Sequence, residues 1–141
     1  MEPIAYYTID DLKEGQEVEI ERLITVADIK QFAELTQDFH PLHTSIEYAQ
    51  SHGFDNIMAH GLLLSSYTSY VIGMKLPGER AIIMSQSFRY RKPAYPGNTF
   101  LIKASLSAID LRFSHVEILI RITAKNDNRL IASGKYLVKV R

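Results

Sequence analysis

The sequence predicts an α+β chain in which helices come first and an antiparallel sheet follows. Three observations carry this. Apolar residues recur at helical spacing only before Gly78, in segments after Thr25 and after His60. The apolar runs after Gly78 are long, largely alternating and rich in Ile, Val, Leu, Phe and Tyr. Turn chemistry punctuates those runs, and no helical pattern intervenes to make parallel βαβ units.

The elements follow in order. Residues 17–24 set Glu17, Glu19 and Glu21 against Val18 and Ile20, the alternation of a half-buried strand. Thr25 is an N-cap with Asp28 three positions on, a short form of the capping box, opening a helix through Ile29, Phe32 and Ala33 to Leu35. Pro41 breaks the pattern, so 36–44 is expected to be loop. Ser45 caps a short helix that ends at Gly53, and a third helix runs from His60 to about Leu76, stopping before Pro77-Gly78. Strands are expected at 81–90, 99–109, 113–125 and 130–140, joined as a meander through Pro93…Pro96-Gly97-Asn98, Asp110-Leu111-Arg112 and Asn126-Asp127-Asn128. One long apolar helix wrapped by a curved antiparallel sheet buries both. Ten-residue strands also leave edges that a second copy of the chain would pair.

Composition narrows the chemistry. At 141 residues the chain is the size of a single domain, 1–141, and 46% apolar content supports an ordinary core. Sixteen Lys and Arg offset sixteen Asp and Glu, so no global field draws the chain to nucleic acid or a membrane surface. The absence of cysteine excludes disulfides, thiolate nucleophiles and Cys-ligated metals. Early acids at Glu2, Asp10 and Asp11 are the reverse of a signal peptide, so the cytoplasm is the expected compartment. The 19 residues from Asn56 to Met74 carry no Asp, Glu, Lys or Arg, yet their run of Ser, Thr and Tyr reads as a buried helix and not a membrane span.

Two places carry candidate chemistry. On the third helix, Leu63, Tyr67, Tyr70, Val71 and Met74 form one buried stripe, while Gly61, Ser65, Ser69 and Gly73 form a second stripe of small residues that lets either a strand or a ligand approach closely. Gly61 stands in the first turn, where free N–H groups suit an oxyanion. Before that helix, Asp38, His40 and His43 gather around Pro41. An Asp and a His converging on one water divide base and acid roles, whereas an Asx-turn at Asp38 or surface histidines would be inert. A metal held by Asp38, His40 and His43 is set aside, because Pro41 lies between the imidazoles and no further ligand cluster follows; neither a metal nor a cofactor is expected. Arg89, Arg91 and Lys92 form the densest basic cluster, suited to phosphates or an acidic protein surface, or else a solvated strand end.

The stretch TQDFHPLHTSIEYAQSHGFDNIMAHGLLL, residues 36–64, resembles the hydratase motif of the MaoC-like, (R)-specific enoyl-CoA hydratases. The matching positions are Asp38, Pro41, Leu42, His43, Ala49, Phe54, Ala59, His60, Gly61 and Leu63; Leu76-Pro77-Gly78, the run 85–88, and Lys92-Pro93 to Pro96-Gly97 continue the likeness. The resemblance implies a single hotdog fold, a long central helix wrapped by a curved antiparallel sheet, acting as a homodimer or larger assembly. It implies hydration of trans-2-enoyl-CoA or acyl-carrier-protein thioesters, or the reverse. Asp38 would be the base and His43 would hold the water and help deliver a proton to Cα. The Gly61 N–H would bind the thioester oxygen. His40, His60, Ser65 and Ser69 would contact the substrate, with Arg89, Arg91 and Lys92 at its phosphate-bearing arm. Three positions depart from the pattern: His40 replaces an Asn, Gln37 a Gly, and Asn98 an Asp. A thioesterase or a non-catalytic acyl-thioester binder on the same scaffold are the alternatives.

Overall fold

A computed structural model describes residues 1–141. After a short 3-10 turn at Ile9–Asp11, the elements are β1 (Glu17–Leu23), α1 (Val26–Thr36), α2 (Pro41–Thr44), α3 (Ile46–Ser51), α4 (Gly61–Tyr70), β2 (Ala81–Tyr90), β3 (Thr99–Asp110), β4 (His115–Ala124) and β5 (Leu130–Val140). Five residues with π-helical bonding, Val71–Lys75, prolong α4.

Local chemistry accounts for most boundaries. At α1 the Thr25 hydroxyl accepts from the Asp28 N–H at 3.1 Å, and the Asp28 carboxylate accepts from the Thr25 N–H at 2.9 Å, a closed capping box. Ser45 caps α3 by accepting from the Tyr48 N–H. The segment expected to be loop contains α2, because Pro41 takes the first helical position, where its missing N–H is harmless. Gly97, at φ 89°, supplies the left-handed residue of the turn before β3, and its N–H bonds the Ile24 carbonyl at 2.7 Å.

The five strands form one antiparallel sheet in the order β1-β3-β4-β5-β2. This corrects the expected meander: only β3, β4 and β5 follow one another, while β2 crosses to the far edge beside β5. The eight-residue connector 91–98, with its two prolines, is too long for a hairpin and carries the chain across the end of the sheet. β3 and β4 alternate strictly, and Phe100, Ile102, Ala104, Leu106, Val116, Ile118, Ile120 and Ile122 enter one core with Leu63, Leu64, Val71 and Ile72 from the central helix. At Gly134 a Cβ would lie 2.6 Å from the Phe88 ring, so only glycine lets that ring close over β5.

The buried face of α4 differs from the expected stripe. Leu63, Leu64, Ser65 and Thr68 point inward with Val71 and Ile72, whereas Tyr70 is exposed and Tyr67 and Met74 are half-buried. The sheet meets the helix slightly further round than spacing suggests, because Thr68 bonds Tyr136 of β5 at 2.5 Å. The opposite face of α4 and nearly all of β2 are open: Leu62 is 66% exposed, and Ile82, Ile83 and Met84 are also exposed. No helix is long and apolar enough to cross a membrane.

Candidate active site

The segment between α1 and α4 brings the candidate residues together. Gln37 ends α1 in the left-handed region at φ 63°, where glycine is favoured, and its side-chain amide donates to the Glu34 carbonyl at 2.7 Å. That bond steadies a conformation that an Ala would hold poorly. Asp38 follows in an Asx-turn, with one carboxylate oxygen accepting from the His40 N–H at 3.2 Å. The turn leaves the other oxygen without a protein partner, so the inert and the chemical readings of Asp38 coexist.

His40 is engaged locally, with its ring edge-on to that of His43 at 5.9 Å. Its Nδ1 accepts from the Leu42 N–H at 3.2 Å and caps α2, as an Asn side chain can. α2 then carries His43, whose Nδ1 lies 2.7 Å from the Met58 carbonyl. A carbonyl only accepts, so Nδ1 holds the proton and Nε2 keeps a free lone pair. Met58 is fixed in turn by its N–H, which bonds the Leu42 carbonyl at 3.0 Å. Burial pulls the His43 imidazole below its ordinary value of 6.5, and the neighbouring His60 ring adds to this; the bond to Met58 offsets it in part.

His60 is 2% exposed and stacks on His43 with ring centroids 3.8 Å apart. Its Nε2 donates to the Asp38 carbonyl at 3.0 Å, while its Nδ1 is buried without a partner. His60 therefore ties the main chain of Asp38 to the start of α4. Ligand atoms of Asp38, His43 and His60 lie within 4.8 Å of one another, a different trio from the one weighed on sequence. The two imidazoles stack at an inclination of 24°, and each has one nitrogen committed to a main-chain carbonyl, which leaves the other as the free lone pair.

A cavity of about 320 Å³ opens beside this pair, lined by His43, Gly61, Leu64, Tyr90, Arg91 and Lys92 among others. Gly61 begins α4, and neither its N–H nor that of Leu62 bonds any group in the chain. The Tyr90 ring of β2 stands beside Gly61, where a Cβ would meet it at 3.0 Å, and both residues line the cavity. Arg91 and Lys92 line the same cavity, whereas Arg89 faces a second groove on the sheet with Arg121 and Lys135. Ser65 is buried with its hydroxyl donating to the Leu62 carbonyl, and Ser69 lies on the open face of α4. Sequence reading missed Met58, which acts through its main chain, and Tyr90, which stands out in the sequence only as the aromatic residue interleaved with Arg89, Arg91 and Lys92.

Residues 10–127 match the family model described as MaoC like domain. The chain is 32% identical over 131 residues to an (R)-specific enoyl-CoA hydratase of Rhodospirillum rubrum, covering 93% of this chain and 90% of that protein. It is 35% identical over 123 residues to a mitochondrial 3-hydroxyacyl-[acyl-carrier-protein] dehydratase of Arabidopsis thaliana, covering 85% and 72%. The structure superposes on an (R)-hydratase from Aeromonas caviae involved in PHA biosynthesis with a TM-score of 0.87 at 28% identity, over 92% of this chain and 98% of that one. The shared architecture is the hotdog fold.

Proposed function

Because the chain belongs to the MaoC-like domain family, we propose that Asp38 and His43 are the pair through which it works as a hydro-lyase. The reaction is hydration of trans-2-enoyl thioesters to 3-hydroxyacyl thioesters, or the reverse dehydration. The observation that carries the dyad is the bond from His43 Nδ1 to the Met58 carbonyl, which leaves Nε2 as an acceptor beside Asp38. A water held by Nε2 loses a proton to the free Asp38 oxygen as its own oxygen bonds Cβ. The C2=C3 electron pair moves toward Cα, and negative charge develops on the thioester oxygen. The Gly61 N–H, unpaired at the start of α4, stabilises that oxygen. Return of the proton from the dyad to Cα completes a balanced addition of water, and the likeness to (R)-specific hydratases supports an (R) product.

Arg91 and Lys92 at the cavity mouth suit the phosphates of CoA or the acidic surface of an acyl carrier protein. A second copy covers the open face of α4 and the β2 edge, making a homodimer; the exposed Leu62, Ile82, Ile83 and Met84 support this. The same reading assigns the enzyme to fatty acid metabolism in the cytoplasm.

Crotonyl-CoA tests it directly. Loss of the enoyl-thioester absorbance, without release of free thiol, is expected from the wild type, with (R)-3-hydroxybutyryl-CoA as product. Asp38→Asn and His43→Ala should each lower kcat by roughly 10²- to 10⁴-fold. Thiol release would instead mark a thioesterase, and unchanged turnover in both variants would remove the dyad.

A further inference from the structure

We propose that the Tyr90 hydroxyl is a second donor to the thioester oxygen, completing the oxyanion site that Gly61 begins. The inference rests on the hydratase reading of the same cavity. Tyr90 closes β2 on the side that faces the helix, paired with the buried Ala132 of β5. Its Cε2 and Cζ lie 3.0 Å from where a Cβ on Gly61 would stand. The hydroxyl, one bond beyond Cζ, therefore stands near the first turn of α4, where the Gly61 N–H is unpaired.

Three features separate this side chain from simple packing. It lines the cavity together with His43 and Gly61 and is 43% exposed, so its polar end is not sealed in the core. It makes no hydrogen bond to any group of the chain, although Tyr136, joined to it through the Phe88 ring, has its hydroxyl bonded to Thr68. The ring is also braced: it stacks on Phe88 at 6.2 Å, and Phe88 meets Tyr136 edge-on at 5.8 Å. A rigid ring carrying an uncommitted donor is what stabilises charge without reorganisation. An oxygen seated at the Gly61 N–H would lie against this ring, within reach of its hydroxyl. One donor from the helix and one from the sheet would then fix the plane of the enolate.

The experiment is steady-state hydration of crotonyl-CoA by the wild type, Tyr90→Phe and Tyr90→Ala, with thermal melting of each. Tyr90→Phe keeps the ring and removes only the donor. We expect kcat to fall on the order of 10²-fold, with KM changed less than about threefold and the melting temperature unchanged. Tyr90→Ala should fall at least as far. If Tyr90→Phe keeps kcat within about twofold of the wild type, or loses only in KM, the hydroxyl is not a donor to the developing charge and the inference fails. A wild type that does not hydrate crotonyl-CoA would instead overturn the hydratase reading, so the two failures are distinguishable.

Discussion

Replacing His60 with leucine separates stability from activity. His60 is almost wholly buried, and one of its nitrogens has no partner. A buried polar atom left unsatisfied costs about 1–3 kcal/mol, so a leucine of similar volume recovers roughly that amount. Against this stand two losses. The bond from Nε2 to the Asp38 carbonyl contributes about 1 kcal/mol net, and water can replace it because Asp38 is exposed. The ring stacked on His43 at 3.8 Å contributes another ~0.5–1.5 kcal/mol. The terms nearly cancel, so His60→Leu is expected to melt within about 3 °C of the wild type. Activity behaves differently. Without the tie from Asp38 to the head of α4, the carboxylate is no longer held in register with His43, and a displacement near 1 Å lowers turnover on the order of 10²-fold. Differential scanning fluorimetry and crotonyl-CoA hydration read the two quantities on one preparation. A large fall in melting temperature, or full activity in a stable variant, would refute the view that His60 is retained to position Asp38 at the expense of a buried lone pair.

Two further expectations follow from the same geometry. The His43 imidazole should titrate below the ordinary value near 6.5, as followed by NMR of its Cε1 proton. Since the folded value is the lower one, the unfolded chain takes up the proton first as pH falls. His43 therefore withdraws stability as the pH drops from about 6.5 toward its folded value, and the active neutral form persists through that interval; a His43 titration at or above 6.5 would contradict this. His40→Asn should keep both the cap on α2 and the activity, because an amide oxygen replaces Nδ1, whereas His40→Ala should lose about 1 kcal/mol by thermal or urea unfolding. Equal loss in both variants would mean that the imidazole itself matters.

Much of the scaffold was legible because its causes are local. The alternation of β3 and β4 and the Thr25–Asp28 box at α1 depend on neighbours a few positions apart, and the structure reproduces them. The order of strands was not legible, since the place of β2 beside β5 depends on how a long connector crosses the sheet. The α4 stripe was misplaced for a similar reason: Thr68 turns inward to meet a tyrosine 68 positions away.

The site divides the same way. The available chemistry is written in residue types alone: no thiol, an Asp and a His five positions apart around a proline, and a glycine opening an uncharged helix. How those groups are poised depends on contacts made across the folded chain. The Met58 carbonyl sets the His43 tautomer and His60 anchors Asp38. Arg91 and Lys92 line one cavity with His43 while Arg89 lines another groove. Tyr90 crowds the position that a Cβ at residue 61 would take. Residue type fixes which protons and lone pairs a chain possesses, but their direction depends on main-chain acceptors and rings that folding brings from distant strands.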